Sequence, residues 1–227
     1  MKRIISLIFL FSVTLNAWAW SERGNSGFSI ICEDASQNQF YDAYETKFRY
    51  GLDPIFPQVN QECSDRASCL EVSLQIAREL LNRLPADPRN RFNKNVGIKK
   101  FALERIESFT KEANFLDNIE ILPINDAGIG FIPKNCDLRQ TVVQRVPLFK
   151  HDKRYIISNE YWDQLNIQQQ AAGIVHEILY GYYGYIQNEA FSSEMVRYFN
   201  SLVLANELKS LTEEEYRLFL NRVYYGN

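Results

Sequence analysis

Asn166-Ile167-Gln168-Gln169-Gln170-Ala171-Ala172-Gly173-Ile174-Val175-His176-Glu177-Ile178-Leu179-Tyr180 is the stretch whose reading decides the fold. At about 100° per residue around a helix axis, Ala171, Ile174, Val175, Ile178 and Tyr182 cluster on one side, and Gly173, His176, Glu177 and Tyr180 fall on the other. The first side is a core stripe. The second carries an imidazole, a carboxylate and a phenol, with His176 and Tyr180 one turn apart. Gly173, lacking a Cβ, leaves room there for a backbone or a ligand to come close.

Working back from this helix, a short Trp162-to-Leu165 element precedes it, and two strand-like runs precede that. Residues 141–149 and 155–158 are rich in β-branched and aromatic side chains, and His151-Asp152-Lys153 between them suits a hairpin loop. Residues 119–124 are short and apolar, Asn125-Asp126-Ala127-Gly128 has turn chemistry, and Gly130 to Pro133 starts another extended piece. A further strand is expected at 28–32. Leu70, Leu74, Ala77, Leu80, Leu81 and Leu84 recur at helical spacing and stop at Pro85, which predicts an amphipathic helix over 68–84. After a polar segment at 86–95, Phe101, Ala102, Ile106 and Phe109 mark the stripe of a second helix. Residues 40–52 alternate aromatic and charged side chains and read as helix, and 53–62, with Pro54 and Pro57, as loop.

Forward of Tyr161 the chain reads as helix after helix, with a capping box at Thr212 and Glu215 and a hydrophobic staple at Leu211 and Tyr216. The class is α+β: a small antiparallel sheet packed against helices, with a helical C-terminal part. A single domain is expected over 20–227, with 190–227 as a helical extension.

The N-terminus reads as a cleavable secretory signal. Lys2 and Arg3 are followed by an apolar run from Ile4 to Leu15, and Ala17-Trp18-Ala19 fits a small-x-small cleavage site, giving a leader of 1–19. The run is about a dozen residues, short of the roughly 20 needed to span a bilayer, so no transmembrane span is expected. Loss of Lys2 and Arg3 takes the formal charge from −3 to −5. A mildly acidic chain without a basic run lacks the footprint of phosphate-backbone binding, which argues against a nucleic-acid partner. Apolar content of 46% is enough for a substantial core.

All four cysteines, Cys32, Cys63, Cys69 and Cys136, lie beyond the cleavage site. An even count in an exported chain points to disulfides, for which three pairings exist. The short Cys63 to Cys69 spacing suggests a local clip, leaving Cys32 for Cys136. The expected address is the periplasm or the extracellular space.

The strand, the Trp162-to-Leu165 element, the apolar helix and its His176-Glu177 pair resemble the zincin metallopeptidases, whose HExxH helix offers two imidazoles to zinc and a glutamate that activates water. Here the motif reads HEILY, with Tyr180 where the second histidine would stand. A second resemblance covers most of the chain after about residue 119. Pro133, Cys136-Asp137-Leu138-x-Gln140, Tyr155-Ile156-Ile157, Trp162-x-x-Leu165, Gln170-Ala171-Ala172, His176-Glu177-x-x-Tyr180 and Ser193 through Val196-Arg197-Tyr198-Phe199-Asn200 are similar to an uncharacterised family of exported bacterial proteins seen in predatory bacteria. That family's pattern also has tyrosine after the His-Glu pair, so the resemblance implies a tyrosine that belongs to the design.

Two site readings follow. In the preferred one, His176, Glu177 and Tyr180 form a structural polar cluster with Ser193 and Arg197, with Arg197 opposite Glu177 as a two-pronged ion pair and no cofactor. Ser192 or Ser193 would cap the following helix. In the alternative, a divergent zinc-dependent hydrolase of peptide or cell-wall material, His176 and Glu189 or Glu194 are metal ligands, Tyr180 is a ligand or oxyanion stabiliser, and Glu177 is the general base. Serine-hydrolase chemistry lacks its GxSxG, and Gly128-Ile129-Gly130 is a turn rather than a phosphate loop. Tyr180, Tyr182, Tyr183, Tyr185, Phe191, Tyr198 and Phe199 offer faces for a protein, peptide or glycan ligand, or else core packing.

Overall fold

The computed structural model describes residues 27–86, 97–123, 128–186 and 193–225, without the side chains of 183–186 and 225. The leader at 1–19, most of the polar segment at 86–95, the turn at 125–127, Ser192 and Glu189 lie outside the described residues. The chain runs β1 (Gly27–Cys32), β2 (Gln39–Phe40), α1 (Tyr41–Phe48), α2 (Arg66–Asn82), α3 (Ile98–Glu112), β3 (Ala113–Leu116), β4 (Cys136–Gln144), β5 (Tyr155–Ser158), α4 (Asn159–Trp162), α5 (Ile167–Ile186), α6 (Glu194–Leu204) and α7 (Glu213–Tyr225). The class is α+β.

The five strands form one sheet in the order β2-β1-β4-β5-β3. Three of its pairings are antiparallel, but β3 runs parallel to β5, from Ala113 beside Tyr155 to Leu116 beside Ser158. The sheet is therefore mixed, where an antiparallel one was expected. Helix α3 runs directly into β3, Glu112 being followed at once by Ala113. Glu112 holds this junction, its carbonyl accepting from Arg154 N at 2.8 Å and its carboxylate from Arg154 Nε at 2.7 Å.

The run expected at 141–149 begins earlier, at Cys136, where it pairs with β1, and ends at Gln144. Pro147, which has no N–H to give a ladder, follows soon after. Residues 119–123 and 130–133 carry no strand. The Thr212 and Glu215 capping box is present, with Glu215 N donating to Thr212 Oγ1 at 3.3 Å and Thr212 N to Glu215 Oε2 at 2.8 Å.

Helix α5 is the centre of the molecule. Asn166 Oδ1 accepts from Gln168 N and Gln169 N at 3.0 Å each, starting the helix with a side-chain cap. Every residue from Ala171 to Tyr180 is buried, because α1, α2, α3 and α6 pack around it and the sheet lies against it. The face carrying His176, Glu177 and Tyr180 is thus covered. The two disulfides are Cys32–Cys136, which joins β1 to β4 across a register pair, and Cys63–Cys69. Among the described residues no helix is long and apolar enough to cross a membrane.

Candidate functional site

Helix α1 supplies what the His-Glu helix faces. Six successive residues, Tyr41 to Thr46, are buried, so Asp42 and Glu45 carry their carboxylates into the interior. Three residues apart on a helix, they lie on the same side. Gln169 Oε1 fastens the start of α1 to α5 by accepting from Phe40 N at 3.0 Å.

Asp42 Oδ2 lies 2.7 Å from His176 Nδ1 and accepts from Asn200 Nδ2 at 2.8 Å. With Asp42 Oδ2 as acceptor, the His176 imidazole carries a hydrogen on Nδ1. Asn200 also reaches the carbonyl of Ala172 at 3.3 Å, which links α6 to α5 through the same group. Burial alone would push the His176 imidazole toward neutrality. Asp42, by charge and by hydrogen bond, reverses this, with help from Glu177, and the net pKa is raised above the ordinary value. The ring lies between Phe40, 5.7 Å away between centroids, and Tyr180, stacked at 6.0 Å and 9°. Tyr180, standing where an HExxH helix has its second imidazole, is here a lid over the first.

Arg197 forms the second limb. Its Nε donates to Glu45 Oε2 at 2.6 Å, its Nη1 to Ser193 Oγ at 2.7 Å, and its guanidinium sits over the Tyr41 ring at 5.6 Å. Glu45 Oε1 accepts from Arg49 Nη1 at 2.7 Å, and Arg49 in turn meets Glu194 at the surface. Burial pushes the Glu45 carboxyl above its usual range, although the two guanidiniums oppose this. Ser193 occupies the N-cap position of α6 without capping it, because its hydroxyl is turned to Arg197.

The sequence pointed to Glu177 as the carboxylate opposite Arg197; Glu45 stands there instead, 152 residues earlier in the chain. Helix geometry gives the reason. Positions 176 and 177 are rotated by about 100°, enough for His176 to face α1 and α6 while Glu177 at the edge of that side turns away. It faces the sheet: a Cβ added to Gly27 would lie 2.7 Å from Glu177 Oε1 and 2.3 Å from the carbonyl of Val142. Only glycine fits between that strand and that carboxylate. Gln144 Nε2 also donates to the Glu177 carbonyl at 2.9 Å.

His176, Tyr180, Ser193 and Arg197 are therefore brought into one buried region, with Glu177 on its sheet side. Glu194 is not, since its carboxylate is 40% exposed and engaged with Arg49. His151 is exposed in the β4–β5 loop. Among the described residues no group of three or more His, Cys, Asp or Glu side chains is placed to hold a metal ion. Of the aromatic series, Tyr180, Tyr182 and Phe199 are buried, and Tyr182 and Phe199 meet Tyr224 edge-on at 5.2 and 5.8 Å. Tyr198 is half-buried against Tyr50 and Phe219. These four are packing residues; the side chains of Tyr183, Tyr185 and Phe191 lie outside the described set.

Sequence reasoning missed Asp42, Glu45 and Asn200. The available signal was a pair of carboxylates three apart, each set beside a tyrosine in Tyr41-Asp42-Ala43-Tyr44-Glu45, which is an unusual composition for a solvated helix face. Compared with known proteins, the chain matches no family model, no curated protein and no solved structure.

Proposed function

We propose that this is an exported, non-catalytic protein in which the His-Glu helix is a structural hub and the molecule acts through its surface, by binding. The observation that carries the reading is burial. His176, Glu177, Arg197 and Asp42 have 0% exposure, and Glu45 has 1%. A set of charges sealed from solvent gives a substrate no approach, and the hydrogen bonds of Asp42 and Glu45 to partners on α5 and α6 are what buried charges need to be tolerated. Export is supported by the leader-like residues 1–19 and by two disulfides with no free cysteine among the described residues, an arrangement that persists in oxidising compartments. Membership of the exported bacterial family, and the distant zincin-like character of the helix, belong to the same proposal and rest on the sequence pattern.

One observation favours the hydrolase reading instead. A carboxylate on the Nδ1 of a histidine, as Asp42 is on His176, is the arrangement that orients zinc-binding imidazoles. Under that reading His176 would be a ligand beside Glu189, and Glu177 would activate water.

Metal analysis of the purified, disulfide-bonded protein separates the two, combined with thermal melts before and after chelation. The structural reading expects substoichiometric zinc and an unmoved melting temperature. Stoichiometric zinc whose removal lowers the melting temperature would overturn it, since a ligand bound only to the folded state must stabilise that state.

A further inference from the structure

The β4–β5 hairpin ends in a loop that the buried hub does not use. Val146, Leu148 and Phe149 are 54%, 60% and 64% exposed, three large apolar side chains within four residues. The loop is not slack. Asp152 Oδ2 accepts from the backbone N–H groups of both Leu148 and Phe149 at 3.0 Å, and Asp152 N returns a bond to the carbonyl of Phe149 at 3.0 Å. The Phe149 ring stacks on His151 at 5.8 Å. The apolar tip is thus held outward by its own hydrogen bonds, at no cost of unfolding a packed segment.

The collar of this tip is basic in a chain that is otherwise acidic. Arg145 and Lys150 are exposed, and Lys153 reaches over to the carbonyl of the exposed Lys111 at 2.6 Å. The nearby carboxylates are engaged: Asp152 by the two loop amides, Glu112 by Arg105 and Arg154. Phe48, Ile55, Leu122, Phe131 and Leu218 are also more than half exposed, but among the described residues no other four-residue stretch holds three such side chains. Apolar side chains projecting from a hairpin tip and ringed by lysine and arginine are complementary to the boundary of an anionic bilayer, where the apolar tip enters the headgroup region and the cations meet lipid phosphates.

We infer that the 145–154 loop is a membrane-surface anchor, inserting Leu148 and Phe149 into the interface of an anionic phospholipid bilayer. The test is flotation of the full disulfide-bonded chain with phosphatidylcholine vesicles, with and without phosphatidylglycerol. The chain is expected to float with the anionic vesicles and to be released by salt, which screens the collar within a Debye length of about 10 Å at 0.1 M. Leu148→Ser combined with Phe149→Ser should lower partitioning about tenfold or more, and Lys150→Gln about fivefold, with melting curves unchanged because all three side chains are exposed. Failure of the native chain to float with anionic vesicles, equal flotation with neutral ones, or no effect of the double variant would overturn the inference. So would lipid-free self-association, seen by sedimentation and abolished by the double variant, since the occupant would then be a second copy of the chain.

Discussion

Replacing Arg197 with methionine removes the cation that meets Glu45 inside the protein while keeping most of the side chain's volume. Glu45 would retain Arg49 on Oε1, but Arg49 is about one-third exposed and shared with Glu194, so it compensates only in part. Removing one member of a buried ion pair typically costs about 3–5 kcal/mol. With Arg49 still in place the lower end applies, about 3 kcal/mol at pH 7, or about 6–12 °C in melting temperature for a chain of this size. The cost should depend on pH in a particular way. Burial already raises the Glu45 carboxyl, and losing Arg197 raises it further, so acid neutralises the stranded group. Going from pH 7 to about 5.5 should recover up to about 2 kcal/mol of the loss. Glu45→Gln behaves differently: the guanidinium it leaves behind cannot shed its proton, so its penalty stays nearly flat over that range. The combination of Glu45→Gln and Arg197→Met should be more stable than Arg197→Met alone by about 1–2 kcal/mol. Urea unfolding of the disulfide-intact protein at the two pH values reads all of these. A loss below about 1 kcal/mol for Arg197→Met at pH 7, or a double variant no better than the single, would refute the buried-pair reasoning.

The His176 and Asp42 pair predicts a second pH dependence. A histidine whose folded pKa is raised contributes stability that is fully present below its unfolded pKa of about 6.5 and is lost as pH rises through the folded value. Melting temperature should therefore fall as pH is raised above about 6.5, and His176→Gln should flatten that slope; an equal slope in the variant would count against the assignment. The two disulfides should differ in weight. Cys32–Cys136 spans 104 residues and Cys63–Cys69 only 6, so by loop-closure entropy removing the first costs about 4–5 kcal/mol and the second about 2 kcal/mol. Paired cysteine-to-serine variants in chemical denaturation check the order, and a larger loss from the short clip would contradict it.

Much of the fold was legible because local periodicity and packing agree. Phe101, Ala102, Ile106 and Phe109 are all buried on α3, and the 68–84 stripe appears as α2, shifted by two residues at each end. Strand β5 matches its expected bounds, 155–158. Strand β3 was not legible: Ala113–Leu116 has only four residues and continues an amphipathic helix, and only its parallel neighbour makes it a strand. The site was half legible for a related reason. The pattern within α5 and α6 identified His176, Tyr180, Ser193 and Arg197, because helical spacing places residues on faces. It held no information about which distant element would cover those faces. Asp42 and Glu45 come from α1, 134 and 152 residues away from their partners, and such pairings are set by tertiary packing.

The position of β1 has a consequence for how the molecule must be made. Although it comes first among the strands, β1 lies inside the sheet, between β2 and β4, and its main neighbour begins only at Cys136. A chain appearing N-terminus first therefore presents Cys32, Cys63 and Cys69 together while the native mate of Cys32 is still to come. Cys63 and Cys69 can close their native clip at once, but oxidation of Cys32 before Cys136 arrives would join the wrong sulfurs. Correct maturation requires either that Cys32 stay reduced until the middle of the chain arrives, or that a thiolate reopen the early bridge through a mixed disulfide.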